Sequence, residues 1–149
     1  MTAESSGRRL LGIAAIFKNE GAYILEWLAF HRIVGVDRFF IADNDSDDGT
    51  TELLEALQSV GLVDRIPFPT VAERPPQLPA YDALMRLHRH DVDWMAFMDA
   101  DEFLMPTDGG DSIRPVFENA RPNVGAVALN WAIYGSSSRS RPYRGLVIE

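Results

Sequence analysis

The segment WMAFMDADE at residues 94–102 decides the fold class. Its first five residues are apolar and of strand length, and the carboxylates of Asp99 and Asp101 follow directly. A continuous apolar run of this length predicts a strand buried on both faces, as the strands of parallel sheets are. Ligands of such sheets bind beyond the carboxyl ends of the strands. The position of the two carboxylates therefore predicts a functional site at that edge.

The rest of the chain alternates between strand and helix patterns. Apolar runs predict further strands at residues 10–17, 38–42, 62–66 and 124–131. Apolar residues at helical spacing predict helices at 23–34, between Thr50 and Gly61, and at 80–87, while five prolines predict a loop at 67–79. This alternation predicts an α/β fold with an open, mostly parallel sheet and helices on both faces.

Length and composition limit the domain organisation. The 149 residues suffice for one domain, which we expect at residues 10–149 after a flexible polar N-terminus at residues 1–9. No apolar run approaches the roughly 18 residues of a transmembrane helix, so no transmembrane segment is predicted. The absence of cysteine excludes disulfides and thiolate metal sites and fits a reducing compartment. We expect a cytoplasmic location, either free or peripheral to the inner membrane.

The formal net charge of -8 argues against nucleic acid as a partner, because phosphate backbones require a basic face. The acidic residues instead gather in short segments that suit a cation. Three polar groups follow predicted strands, at residues 18–20, 43–48 and 99–102. The topology brings all three to one edge of the sheet, and this convergence is the main functional evidence from the residues alone.

Asp99 and Asp101 are the predicted metal ligands. Mg²⁺ or Mn²⁺ takes oxygen ligands, often one or two carboxylates together with substrate phosphates, and would bridge a diphosphate to this acidic edge. The alternative is a solvated turn that caps the next segment. Asp43 is predicted to face solvent or ligand and to accept hydrogen bonds from a base or ribose. Asp48 and Thr50, in contrast, fit the entry of the following helix.

Other patterns allow weaker interpretations. The spacing of Asn44, Ser46, Asp48 and Glu55 resembles a calcium loop, but the preceding element is predicted as a strand. His88 and His90 could suggest zinc, although a solvated helix end is the simpler interpretation.

His31 fits a buried structural histidine beside a core Trp27. Arg74, Gln77 and Tyr81 lie near a helix start and could either support a phosphate or cap and pack the helix.

Together these motifs resemble the family-2-like glycosyltransferases of the GT-A fold, and above all the branch related to glycosyltransferase family 92, formerly domain of unknown function 23. The matching segments cover nearly all of residues 10–149 in a fixed order. They are KNE at 18–20, EWLAFH at 26–31, GVD at 35–37, DNDSDDGT at 43–50, MDADEF at 98–103 and NWAIYGSS at 130–137.

The resemblance implies a GT-A, Rossmann-like fold and inverting transfer of a sugar from a nucleotide-sugar donor, with UDP-sugar as the expected donor, to a glycan or other hydroxyl acceptor. It implies Mn²⁺ or Mg²⁺ at Asp101 with Asp99. It also implies donor-binding residues, namely Phe17, Asn19, Glu20, Asp43, Gln77, Asp99 and Ala100.

The sequence departs from the common family-2 pattern in two places. Asp43-Asn44-Asp45-Ser46 stands where Asp-Asp-Gly-Ser is usual. After Trp131 the only carboxylate is Glu149, which makes it the one candidate for the catalytic base. We therefore expect either a fragment truncated at its C-terminal end or a domain that lacks its base. The oligomeric state is not predicted.

Two other functions fit parts of the pattern. A haloacid-dehalogenase-like phosphatase also places Asp-x-Asp after an apolar strand, with the first Asp as nucleophile. However, Phe103 stands where that motif has Thr or Val, and most of the α/β units precede the motif here. The other alternative is a nucleotide- or metal-binding module without turnover.

Overall fold

Four strands and four helices alternate along the part of the chain that the structure describes. The computed structural model describes residues 8–71, 74–107, 109–134 and 145–148. The elements are β1 (Leu11–Phe17), α1 (Ile24–Val34), β2 (Arg38–Asp43), α2 (Thr50–Ser59), β3 (Asp64–Pro67), α3 (Gln77–His88), β4 (Trp94–Phe97) and α4 (Arg114–Glu118). The four strands form one sheet in the order β3-β2-β1-β4, and every neighbouring pair is parallel. The predicted α/β class with a parallel sheet is confirmed.

Helices cover both faces of this sheet, as predicted. On one face α1 and α2 bury Trp27 and Leu54 against apolar side chains of β1 and β2. On the other face α3 buries Ala80 and Leu84 against Phe40 and its neighbours in the strands. β1 lies at the centre and is buried along almost its whole length, which explains its unbroken apolar sequence.

Two glycines serve this packing. A Cβ on Gly12 would come 2.7 Å from the ring of Phe40, so β1 can carry no side chain at this point of close approach. Gly35 ends α1 with a φ of 115° and donates its N–H to the Arg32 carbonyl. Such a left-handed residue is the usual helix C-terminus and favours glycine. The predicted end of this helix is confirmed.

The prediction of a fifth strand at residues 124–131 is wrong. These residues are exposed and form no strand, because an apolar run becomes a strand only when a neighbour accepts its hydrogen bonds. They border a groove of about 960 Å³ beside β4, which is also lined by Trp94, Met95 and Phe97.

Two helices also differ from the prediction, one in its start and one in its existence. α3 begins at Gln77, inside the predicted loop, and contains Pro79 in its first turn, where a missing N–H costs no hydrogen bond. The short α4 was not predicted. Within the described ranges, no helix is both long enough and apolar enough to cross a membrane.

Candidate functional site

A cleft opens at the carboxyl edge of the sheet, where β1 and β4 end. The strand order places β2 and β3 on one side of β1 and β4 on the other. The order in which strands are added to the sheet therefore switches sides between β1 and β4, and α/β sheets bind ligands at such a switch point. The cleft has a volume of about 280 Å³. Its lining residues are Ile16, Lys18, Glu20, Asn44, Pro76, Gln77, Asp99, Ala100 and Asp101. Five of the predicted site residues therefore meet here, namely Glu20, Gln77, Asp99, Ala100 and Asp101.

Asp99 is oriented by the first turns of α3. Its Oδ1 accepts hydrogen bonds from the Gln77 amide and from the Tyr81 hydroxyl, the latter at 3.0 Å. Burial and the neighbouring Asp99 carboxylate raise the pKa of Tyr81 to about 12, so the phenol stays protonated and remains a donor. Within the described chain, Asp99 Oδ2 makes no hydrogen bond, and it is left for a ligand.

Asp99 also begins a closed turn. Its N–H donates to Glu102 Oε2 at 2.9 Å, and the Glu102 N–H donates back to the Asp99 carbonyl at 3.2 Å. The first of these bonds is the side-chain half of a capping box, and the second is the backbone bond of a four-residue turn. Together the two bonds fix residues 99–102 as one unit, so Asp101 projects from a defined backbone.

Asp101 is exposed, and its carboxylate makes no hydrogen bond or ion pair to any described residue. The negative charge of Asp101 repels the carboxylate of Glu20, which lines the same cleft. Burial raises the pKa of Glu20, and the negative charges of Asp101 and Asp48 raise it further. The three carboxylates of the cleft therefore outnumber its positive charge and give it a negative potential. Of the lining residues, Lys18 alone is a cation.

The donor set suits a hard cation that brings further oxygen ligands. Asp101, the free oxygen of Asp99 and Glu20 supply carboxylate oxygens at one cleft. Across the described residues, no three acids or histidines are grouped closely enough to hold a metal ion alone. A magnesium-like ion typically takes one or two carboxylates and completes its shell with phosphates and water, so the residues fit an ion delivered with a phosphate ligand.

Asp43 lies at the end of β2, outside the lining of this cleft. The prediction that its side chain faces solvent or ligand is wrong, because the residue is 3% exposed. Its Oδ2 accepts hydrogen bonds from Thr51 Oγ1 at 2.6 Å and from Arg65 Nε at 3.0 Å, and Arg65 Nη2 lies 2.9 Å away. Its Oδ1 is buried and has no hydrogen bond of acceptable geometry within the described residues.

Burial alone would raise the pKa of Asp43. The hydrogen bond from Thr51, the nearby hydroxyl of Ser46 and the charge of Arg65 outweigh that effect and hold the pKa of Asp43 below its usual value. Asp43 is therefore an ionised, buried and mostly partnered carboxylate. Sequence reasoning missed Arg65. The signal that could have found it is the pairing of β2 with β3, which places Arg65 two residues before the partner of Asp43.

Phe17 and Asn19 do not line the cleft. Phe17 is buried and packs edge to face on Trp27 with ring centroids 5.3 Å apart. Asn19 adopts a positive φ of 60° and exchanges two hydrogen bonds with Asp47, one through each atom of its amide, at 2.8 and 2.9 Å. Its side chain therefore joins the loop after β1 to the loop after β2.

The weaker metal patterns have other uses in the structure. The Asn44 amide donates to the Phe68 carbonyl at 2.8 Å, and Asp48 accepts from the Thr50 N–H at 3.0 Å. His88 stacks on Phe40 and pairs with Asp91. Glu149, the candidate base, lies outside the described residues.

Comparison with known proteins adds an independent line of evidence. Residues 11–141 match the family model described as glycosyltransferase family 92. A glycosyltransferase family 92 protein of Oryza sativa subsp. japonica is 31% identical over 139 residues, which are 90% of this chain and 23% of the relative. Family 92 proteins of Arabidopsis thaliana and Ricinus communis are 28% and 33% identical over 89% and 91% of the chain. The chain spans about a quarter of the length of these curated relatives.

Proposed function

Because the chain belongs to glycosyltransferase family 92, we propose that it forms the donor-binding part of a metal-dependent glycosyltransferase that uses a UDP-sugar. The observation that carries the proposal is the cleft between the ends of β1 and β4, where the free carboxylate oxygens of Asp99 and Asp101 face Lys18 and the start of α3. Family membership gives no support to the phosphatase alternative.

The charges of the cleft require a cation if a diphosphate is to bind. Asp101 and Glu20 would repel the phosphates, and Lys18 supplies only one positive charge. Asp101, with Oδ2 of Asp99 beside it, would hold Mn²⁺ or Mg²⁺. When bound, such an ion neutralises the charge that develops on the departing diphosphate.

The remaining groups of the cleft bind and orient the donor. Lys18 attracts the phosphates, and the N-terminus of α3 adds a favourable dipole because no side chain caps it. Asp99 is held by Gln77 and Tyr81 and can accept a ribose hydroxyl with its free oxygen.

The reaction proposed for this cleft is a direct displacement with inversion. A base removes the proton of an acceptor hydroxyl, the hydroxyl oxygen attacks the anomeric carbon, and the nucleoside diphosphate leaves with the bonding electron pair. The acceptor is a glycan or another hydroxyl compound, and Glu149 is the candidate base within this chain.

Calorimetry with UDP tests the proposal. We expect binding with Mn²⁺ and a loss of at least about tenfold in affinity with EDTA. We also expect Asp101→Asn to weaken Mn²⁺-dependent binding about a hundredfold and Asp99→Asn less, because an amide removes the charge that a hard cation prefers. Circular dichroism checks that both variants fold.

Equal affinity with Mn²⁺ and with EDTA would reject the metal bridge. A larger effect of Asp99→Asn would exchange the roles of the two residues. Hydrolysis of a generic phosphate ester, with no binding of UDP, would instead favour the phosphatase alternative.

A further inference from the structure

Two side chains on one face of α1 form hydrogen bonds with the backbone just after Asp101. The indole Nε1 of Trp27 donates to the Glu102 carbonyl at 2.9 Å, and His31 Nε2 accepts from the Leu104 N–H at 3.2 Å. Trp27 and His31 are both 0% exposed. They lie one helical turn apart, so they face the same segment. Two buried ring nitrogens of α1 therefore bond to backbone groups of residues 102–104.

The protonation state of His31 suits this contact. Its Nδ1 lies 2.8 Å from the Trp27 carbonyl and therefore carries the proton, which leaves Nε2 as an acceptor. Burial lowers the pKa of His31 to about 4, so the ring is neutral at physiological pH. Phe103 stacks on the imidazole with an interplanar angle of 13° and meets Phe30 edge to face. The ring is thus fixed in both orientation and tautomer.

Glu102 connects these hydrogen bonds of α1 to the candidate metal ligands. Trp27 holds the Glu102 carbonyl, while the Glu102 carboxylate accepts from the Asp99 N–H. We propose that Trp27 and His31 are positioning residues that hold the turn at residues 99–102 so that Asp101 and the free oxygen of Asp99 face the cleft. This inference rests on the proposed function.

The physical reason is preorganisation. Asp101 is exposed and has no side-chain partner among the described residues, so only its backbone can fix its direction. Gln77 and Tyr81 hold the turn at its first residue. Trp27 holds it at its last residue, Glu102, and His31 holds the chain two residues further on, at Leu104. Without the second pair, the carboxylate of Asp101 samples other directions, and binding must pay the entropy of ordering it.

Two variants remove these hydrogen bonds and keep an aromatic ring in place, Trp27→Phe and His31→Phe. Val34→Ala is the matched control, because Val34 is buried in the same helix, and its truncation destabilises α1 while keeping the hydrogen bonds of Trp27 and His31 to residues 102–104. All variants are studied well below their melting temperatures. We measure the Kd for UDP with Mn²⁺ by calorimetry and the hydrogen exchange of the Leu104 amide by NMR.

We expect each aromatic variant to raise the Kd roughly tenfold, as the loss of a group that orients a metal ligand does. His31→Phe should also speed exchange of the Leu104 amide roughly tenfold relative to β1 amides. Val34→Ala should change neither value. A Kd in both aromatic variants that equals that of Val34→Ala would overturn the positioning role.

Failure of the proposed function has a different signature. A wild-type protein that binds no UDP in the presence of Mn²⁺ rejects the donor site, and the positioning role in donor binding falls with it. If the wild type binds and His31→Phe leaves exchange at Leu104 unchanged, the positioning role is rejected while the donor site stands.

Discussion

Two carboxylates at the same edge of the sheet have opposite surroundings. Asp43, at the end of β2, is buried and paired with Arg65 and Thr51. Asp101, just beyond β4, is exposed and has no partner among the described side chains. A carboxylate that follows a strand is therefore part of the packed fold on one side of β1 and exposed to solvent on the other.

The energetic consequences differ accordingly. Removing one member of a buried ion pair leaves the other charge without compensation, whereas removing an exposed, unpaired carboxylate costs the fold little. Near Glu20, the removal of the Asp101 charge even relieves a repulsion. Substitution by alanine should therefore lower the free energy of unfolding much more at Asp43 than at Asp101.

The largest effect is expected from Asp43→Ala, which should lower the free energy of unfolding by about 3 kcal/mol. The Arg65 side chain is only 13% exposed, and among the described residues it would keep Glu55 as its one carboxylate partner. The matched variant Asp101→Ala should stay within about 0.5 kcal/mol of the wild type. Urea denaturation followed by circular dichroism measures both. Equal losses of unfolding free energy would mean that both acids stabilise the fold, and the proposed contrast between them would be wrong.

Acid should weaken the Asp101 side of the site before the Asp43 side. His31 titrates near 6.5 when unfolded and near 4 when folded, so between these values only the unfolded chain takes up the proton. Stability therefore falls as the pH drops from 6.5 to 4, by about 3 kcal/mol in all. The lowered pKa of Asp43 keeps its ion pair charged below the usual range of aspartate, so its contribution disappears only in stronger acid.

Urea denaturation of the wild type and of His31→Phe at a series of pH values tests this order. Since Glu20 has a raised pKa and shifts stability in the opposite direction, the difference between the two proteins isolates His31. That difference should change between pH 6.5 and 4 and stay constant above. A constant difference over the whole range would contradict the buried, neutral histidine.

The smallest effect is expected from Tyr81→Phe, which removes one of the hydrogen bonds to Asp99. The loss should lower the free energy of unfolding by about 1 kcal/mol and weaken UDP binding with Mn²⁺ by about threefold. Tyr23→Phe is the control, because Tyr23 is half exposed. Should both variants bind alike, Gln77 alone would suffice to orient Asp99.

The sequence predicted the parts of the fold that local patterns determine. β1 and β2 are apolar runs buried on both faces, and α1 and α2 show helical spacing with clear ends, so these four elements lie close to their predicted positions. β4 also lies where a strand was predicted, but the prediction that it is buried on both faces is wrong, because it stands at the edge of the described sheet and its residues are half-buried or exposed. The strand predicted at 124–131 failed because pairing depends on a neighbour that periodicity does not reveal. The start of α3 was placed too late because Pro79 was taken as a breaker although it stands in a first turn.

The candidate site was predictable in its composition and less so in its contacts. Parallel topology alone brought Asp99, Asp101 and Glu20 together. The burial of Asp43 could not be foreseen, because its partner Arg65 lies 22 residues away and becomes its neighbour only through strand register. Likewise, His31 and Trp27 were expected in the core, but the bonds of their ring nitrogens depend on where the chain returns after β4.

The double hydrogen bond between Asn19 and Asp47 has a consequence for protein engineering. Asn19 and Asp45 both adopt left-handed backbone conformations, with φ of 60° and 52°, and the bond joins the two loops that contain them. The loops after β1 and β2 therefore form one interchangeable module. A chimera that takes residues 18–21 from a relative should take residues 44–48 from the same parent, since a loop grafted alone would arrive without the partner that shapes it.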